Sequence, residues 1–151
     1  MKREIKFRGL RVDGGGWVYG FYIESSSEHH LGKRSLIVCG DRSATYAGKD
    51  FIEVIPETVG QFTGLKDKNG VDIYEGDILN VKTGIDGCEH RPIRKKVVFW
   101  HSLYTKFTTT SSYNYKNAHN YGNNISAFHI SSDNEIIGDI HENKELLNKV
   151  I

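Results

Sequence analysis

Seven histidines and two cysteines are the side chains in this chain best suited to hold a metal ion or to share a proton with a nucleophile. Their spacing builds neither arrangement. No two histidines stand four residues apart, as a helical zinc site needs, and Cys39 and Cys88 do not form a Cys-x-x-Cys. The densest group, Cys88-Glu89-His90, offers at most three donors and would need His29, His30 or His141 to complete it. Cys39, Cys88 and many serines coexist with His101, His129 and His141. There is, however, no Gly-x-Ser-x-Gly elbow, no glycine-rich phosphate loop ending in Lys-Ser or Lys-Thr, and no dinucleotide fingerprint. The expectation is a non-enzymatic protein with no catalytic residue, no cofactor and no metal.

Phosphate binding is the other chemistry the residues suggest. Arg91, Arg94, Lys95 and Lys96 form the densest basic group, beside His90, and run into Val97-Val98-Phe99-Trp100. Trp100 and the aromatic residues after it (Tyr104, Phe107, Tyr113, Tyr115, Tyr121) have faces on which bases stack, and Lys106 and Lys116 could meet phosphates. Side chains alternate along a strand, so Arg94 and Lys96 face away from Lys95, and the four charges share no flat surface unless the loop residues fold over. An edge strand guarded by lysines accounts for the same residues. Nucleic-acid binding by Arg91, Arg94, Lys95, Lys96 and Trp100 therefore stands as the alternative to a protein-binding role, in which the chain engages a protein partner or itself.

Twenty basic side chains against nineteen acidic ones leave a formal net charge of +1, so no overall field draws the chain onto nucleic acid or an anionic membrane. No apolar run approaches the ~20 residues that span a bilayer, and no charged start followed by an apolar stretch marks a signal peptide. Two cysteines are too few for a disulfide framework. The cytoplasm is the expected location, with no membrane partner.

These residues must be positioned by a mainly β fold. Sixteen glycines, eight tyrosines, seven phenylalanines and only two prolines suit strands joined by tight turns. Residues 3–10 alternate as a half-buried strand, Asp13-Gly14-Gly15-Gly16 turns, and the stretch from Trp17 to Tyr22 returns. Short strands are expected at 35–39 and 51–55, and Pro56 ends the second of them. A boundary there separates an N-terminal β subdomain, 1–58, from a second unit, 59–151. In the latter, Asn69-Gly70 closes a hairpin between 61–65 and 71–74. Glu75-Gly76-Asp77 makes a turn in which the aspartate accepts backbone N–H groups. Strands follow at 78–82 and 94–101. Residues 105–124, rich in Thr, Ser, Asn and Tyr, read as a long loop or a solvated hairpin with little to bury. A last hairpin is expected from 126–130 and 135–140, then a short helix over 144–150 capped by Asn143.

The stretch from Glu57 to Gly70, continuing through Ile73-Tyr74-Glu75-Gly76-Asp77-Ile78, resembles the signature of the YopX family of phage and prophage proteins. The start Arg3-Glu4-Ile5-Lys6-Phe7-Arg8, the stretch Val18-Tyr19-Gly20 and the ending Glu135-Ile136-Ile137-Gly138-Asp139-Ile140, followed by Glu142-Asn143 and Glu145-Leu146-Leu147, are similar to the family's other marks, in the right order. The resemblance implies a small antiparallel N-terminal subdomain, an SH3-like barrel in the C-terminal half with a short C-terminal helix, and a bacterial host cytoplasm. It implies no enzyme activity, cofactor or catalytic residue. Lys144 stands where members often carry proline at the first helical position.

Overall fold

The computed structural model describes residues 4–26, 33–40, 50–82, 93–102, 105–111 and 129–147. The chain divides into two compact units, 1–62 and 63–151. Both are antiparallel β structures.

In the first unit, β1 (Phe7–Leu10), β2 (Trp17–Ser26), β3 (Lys33–Cys39), β4 (Asp50–Glu53) and the start of β5 (Gly60–Lys66) pair in the order β4-β3-β2-β1-β5. The glycine turn joins β1 to β2, with Arg11 N–H donating to the Gly16 carbonyl at 3.0 Å. Within it the Arg11 guanidinium, and then the Gly15 N–H, hold the Asp13 carboxyl down to about 2. The far end of this sheet curls back on itself. Val54 bridges Arg11, Ile55 N–H donates to the Leu10 carbonyl at 2.8 Å, and Val12 N–H donates to the Glu53 carbonyl at 3.1 Å. The closure needs a glycine, because a Cβ on Gly9 would stand 2.9 Å from the Val54 Cβ. Thr58 secures the join, its hydroxyl accepting the Leu10 N–H at 2.9 Å and donating to the Ile55 carbonyl at 2.7 Å.

Strand alternation then sorts the side chains. Phe7, Gly9, Val18, Tyr22, Ile37 and Ile52 share the face on which Val54 meets Gly9. Ile37 and Val54 are completely buried there. The unit extends past residue 58, because Gly60 and Gln61 pair with Arg8 and Phe7.

The second unit holds the rest of β5, β6 (Asp72–Tyr74), and a sheet of β7 (Asp77–Lys82), β8 (Ile93–His101), β9 (Lys106–Ser111) and β10 (Glu135–Asp139), in the order β10-β7-β8-β9. Its core is Ile73, Leu79, Val81, Val98 and Ile130, with Phe107 and Ile136 packed against them. Ile78, Val97 and Phe99, on the opposite face, are buried as well. This sheet is open. Among the described residues no pairing joins β9 to β10, so the expected SH3-like barrel does not close, and burial on both faces suits a covered layer rather than a barrel wall.

Two further expectations are corrected. Residues 106–111 of the supposed solvated stretch form β9, in which Thr108, Thr109 and Thr110 are at most 1% exposed. Threonine is β-branched and fits a pleated, packed surface even though it counts as polar. At the C-terminus, Lys144–Leu147 is a single 3-10 turn. The Asn143 side chain turns back to accept the Asp139 N–H at 3.0 Å and so caps nothing ahead of it. The expected strand at 126–130 and the end of the expected helix lie largely outside the described residues.

Buried carboxylates and amides hold the turns of this unit. Asp67, 5% exposed, accepts the N–H groups of Asn69 at 2.8 Å, Val71 at 2.9 Å and Ile136 at 3.2 Å. Asp77 accepts the Tyr74 N–H at 2.7 Å across the turn at Gly76, whose φ of +86° favours glycine. Asn134 and Asp139 serve later turns in the same way, accepting the N–H groups of Ser131 and of His141 and Glu142. Burial alone would raise the Asp67 pKa, but the N–H groups of Val71, Ile136 and Asn69 outweigh it and lower the value.

The folded-state pKa of Asp67 is below the unfolded one, so its contribution is complete above about pH 4 and is lost as pH falls through the folded value. Asp67→Asn is expected to cost roughly 2 kcal/mol at neutral pH, and to flatten the acid dependence, both read from urea denaturation between about pH 2 and pH 7. Gly9→Ala is expected to destabilise the first unit by about 1–3 kcal/mol, measured by thermal unfolding.

Candidate functional site

The closure of the first unit fixes what its other face can do. With Phe7, Tyr22, Ile37 and Ile52 turned to the Val54 side, the alternate positions of β2, β3 and β4 point outward. Register places Phe21, Val38 and Phe51 side by side across the three strands. Ile23 and Leu36 lie on the next outward level to one side, and Tyr19 and Gly40 on the other. Tyr19 is 51% exposed, Phe21 39%, Ile23 42% and Phe51 46%, whereas Val38 beneath them is buried. Beside this row opens a cavity of about 380 Å³ lined by Glu4, Ile5, Lys6, Tyr19, Gly20, Phe21 and Gly40. Lys6 sits over the Phe62 ring at 4.6 Å and 3.9 Å from Glu4. Farther along, Arg8 stacks on Trp17 at 4.3 Å.

An outward apolar face of this kind is typical of surfaces that meet another protein, where tyrosine and phenylalanine are enriched. The sequence carried a signal for it. From Trp17 to Ile23 every position except Gly20 bears an apolar or aromatic side chain, so β2 lacks the polar phase of a strand that is buried on one face only. Alternation read alone identified the strand and left its second apolar phase unassigned.

The basic group is placed differently. Arg94 is exposed, Lys95 is half-buried on the opposite face of β8, and Lys96 is 5% exposed between Leu79 and Ser111. Burial, and secondarily the charge of Arg94, lower the Lys96 pKa. Trp100 is 42% exposed, meets Phe107 edge-on at 5.0 Å and donates its backbone N–H to Glu75 at 3.1 Å. Arg91 lies outside the described residues, as do Cys88, Glu89, His90, His29 and His30. Among the described residues no three His, Cys, Asp or Glu side chains gather to hold a metal ion. No described helix is long and apolar enough to cross a membrane.

A family model described as YopX protein matches residues 6–148 of the chain. Among solved structures the chain is similar to protein EF1440 from Enterococcus faecalis, at 21% identity, covering 97% of this chain and 99% of that one with a TM-score of 0.48. No curated protein matches it.

Inner and outer faces should respond oppositely to truncation. Ile37→Ala is expected to cost about 2–5 kcal/mol, while Phe21→Ser and Phe51→Ser each change stability by less than about 1 kcal/mol. Chemical denaturation of the three variants checks the assignment.

Proposed function

The chain belongs to the YopX family, and we propose that it is a non-catalytic interaction module whose first unit binds a protein through the outward face of β2, β3 and β4. The observation that carries this reading is the exposed set Tyr19, Phe21, Ile23 and Phe51 on the face opposite buried Ile37 and Val54. A Phe or Tyr side chain buries about 150–250 Å² when fully covered. A ring about half exposed therefore keeps roughly 80–100 Å² for a partner, worth about 2 kcal/mol at ~25 cal/mol per Å². Rings fixed on a sheet also lose few rotamers on binding, which favours using them as anchors. Action in the cytoplasm of a bacterial host carrying a phage or prophage is part of the same proposal, resting on the family resemblance.

A photo-crosslinking amino acid, p-benzoylphenylalanine, placed at Phe51 of the full chain in bacterial cells tests it. The expected result is a light-dependent covalent product with a protein chain, lost when Tyr19 and Phe21 are both changed to Ser, and absent when the probe is placed at exposed Val71 of the second unit. No protein product from position 51 would overturn the proposal.

A further inference from the structure

We infer that the tip of the β5–β6 hairpin, residues 64–71, is a latch on the outer edge of β10, which opens and shuts while the rest of the second unit stays folded. The inference lies apart from the face of the first unit and stands whether or not that face binds a protein.

Polar contacts alone seat the tip. Leu65 and Val71, its apolar side chains, are 42% and 54% exposed, and among the others only that of Asp67 is buried. The base of the hairpin differs, since Ile73 and Tyr74 are at most 3% exposed and Ile73 belongs to the core. Shared apolar burial is what makes elements unfold together. The base therefore moves with the core, and the tip is released from that requirement.

Two hydrogen bonds hold the tip shut. The Lys68 N–H donates to the Asn134 carbonyl at 2.9 Å, and the Ile136 N–H donates to Asp67 Oδ2 at 3.2 Å. The Lys68 ammonium also lies 2.9 Å from Glu135, an ion pair open to water that adds little. Every other bond of the tip is internal. Asp67 Oδ1 accepts the N–H groups of Asn69 at 2.8 Å and Val71 at 2.9 Å, and Lys66 Nζ reaches Asp72 at 2.5 Å and the Gly70 carbonyl at 3.2 Å. The tip is thus a self-supporting piece with few bonds to its seat. A pivot lies at its start, where Gly64 has a φ of +87° and nothing within 4 Å of the place a Cβ would take. There the Leu65 N–H turns to the Thr63 hydroxyl at 3.2 Å.

The seat gives the latch its purpose. Among the described residues β10 is the outer strand of its sheet, and outward N–H and carbonyl groups on such a strand pair readily with another chain. Closed, the latch occupies the Ile136 N–H and the Asn134 carbonyl just before β10. Open, it bares them.

Amide hydrogen exchange of the full chain, followed by NMR, tests this at Lys68 and Ile136 against Gly76, whose N–H donates to the Val98 carbonyl at 2.9 Å. Lys68 and Ile136 are expected to be protected to the same degree, at least about tenfold less than Gly76, as local opening requires. Urea at about 1 M should change their protection by less than about twofold and lower that of Gly76 at least about fivefold, because only global unfolding exposes much surface. Val98→Ala, a core change away from the latch, should lower protection at Gly76 and leave Lys68 and Ile136 as they were. Equal protection and equal urea dependence at all three amides would overturn the inference. So would Lys68 and Ile136 exchanging as in an unfolded chain, since no closed latch would then exist.

Discussion

The contact of Val54 with Gly9 decides the character of the first unit. It draws the end of β4 onto the end of β1, and hydrogen bonds from Val12 and Ile55 lock the join. A sheet curled in this way has an inside and an outside, and strand alternation assigns every side chain of β1 to β4 to one or the other. Ile37 and Val54 are then buried on one side, and Tyr19, Phe21, Ile23 and Phe51 stand exposed on the other.

The second unit depends on a different device. Its turns are closed by side-chain oxygens that accept backbone N–H groups where no strand neighbour does so, at Asp67, Asp77, Asn134 and Asp139. Buried carboxylates are tolerated because each is met by donors, since an unpaired one would be costly. The segment from Gly64 to Ile78, which carries much of the family resemblance, is therefore accounted for by architecture. Asp67 even ties its hairpin to β10 through the Ile136 N–H. The carboxylates of this segment set its backbone geometry.

The basic stretch on β8 shows how a cluster in sequence is dispersed by a sheet. Consecutive residues point to opposite faces, and both faces of this sheet are buried near its middle, so Lys96 enters a packed environment while Arg94 stays in solvent. The lysine tolerates this position partly because its long apolar stem can lie along Leu79 and Val98. Proximity along the chain thus says little about a shared surface once the segment is a strand.

Much of the fold was legible from local chemistry. Glycine runs and Asn69-Gly70 marked the turns, alternation marked β1, β2 and β7, and Asp77 was identified as a turn acceptor, because these features depend on a few neighbouring residues. The strand at Lys106–Ser111 was not legible, since three threonines look soluble until tertiary packing buries them. The C-terminal turn escaped because Asn143 bonds backward to Asp139 rather than forward. By itself the sequence determined a mainly β chain, its turns and its family resemblance, all of which follow from local backbone preference and residue order. Only the tertiary structure decided which apolar phase of β2 faces the core, because the choice depends on Val54 meeting Gly9, a contact between residues 45 positions apart.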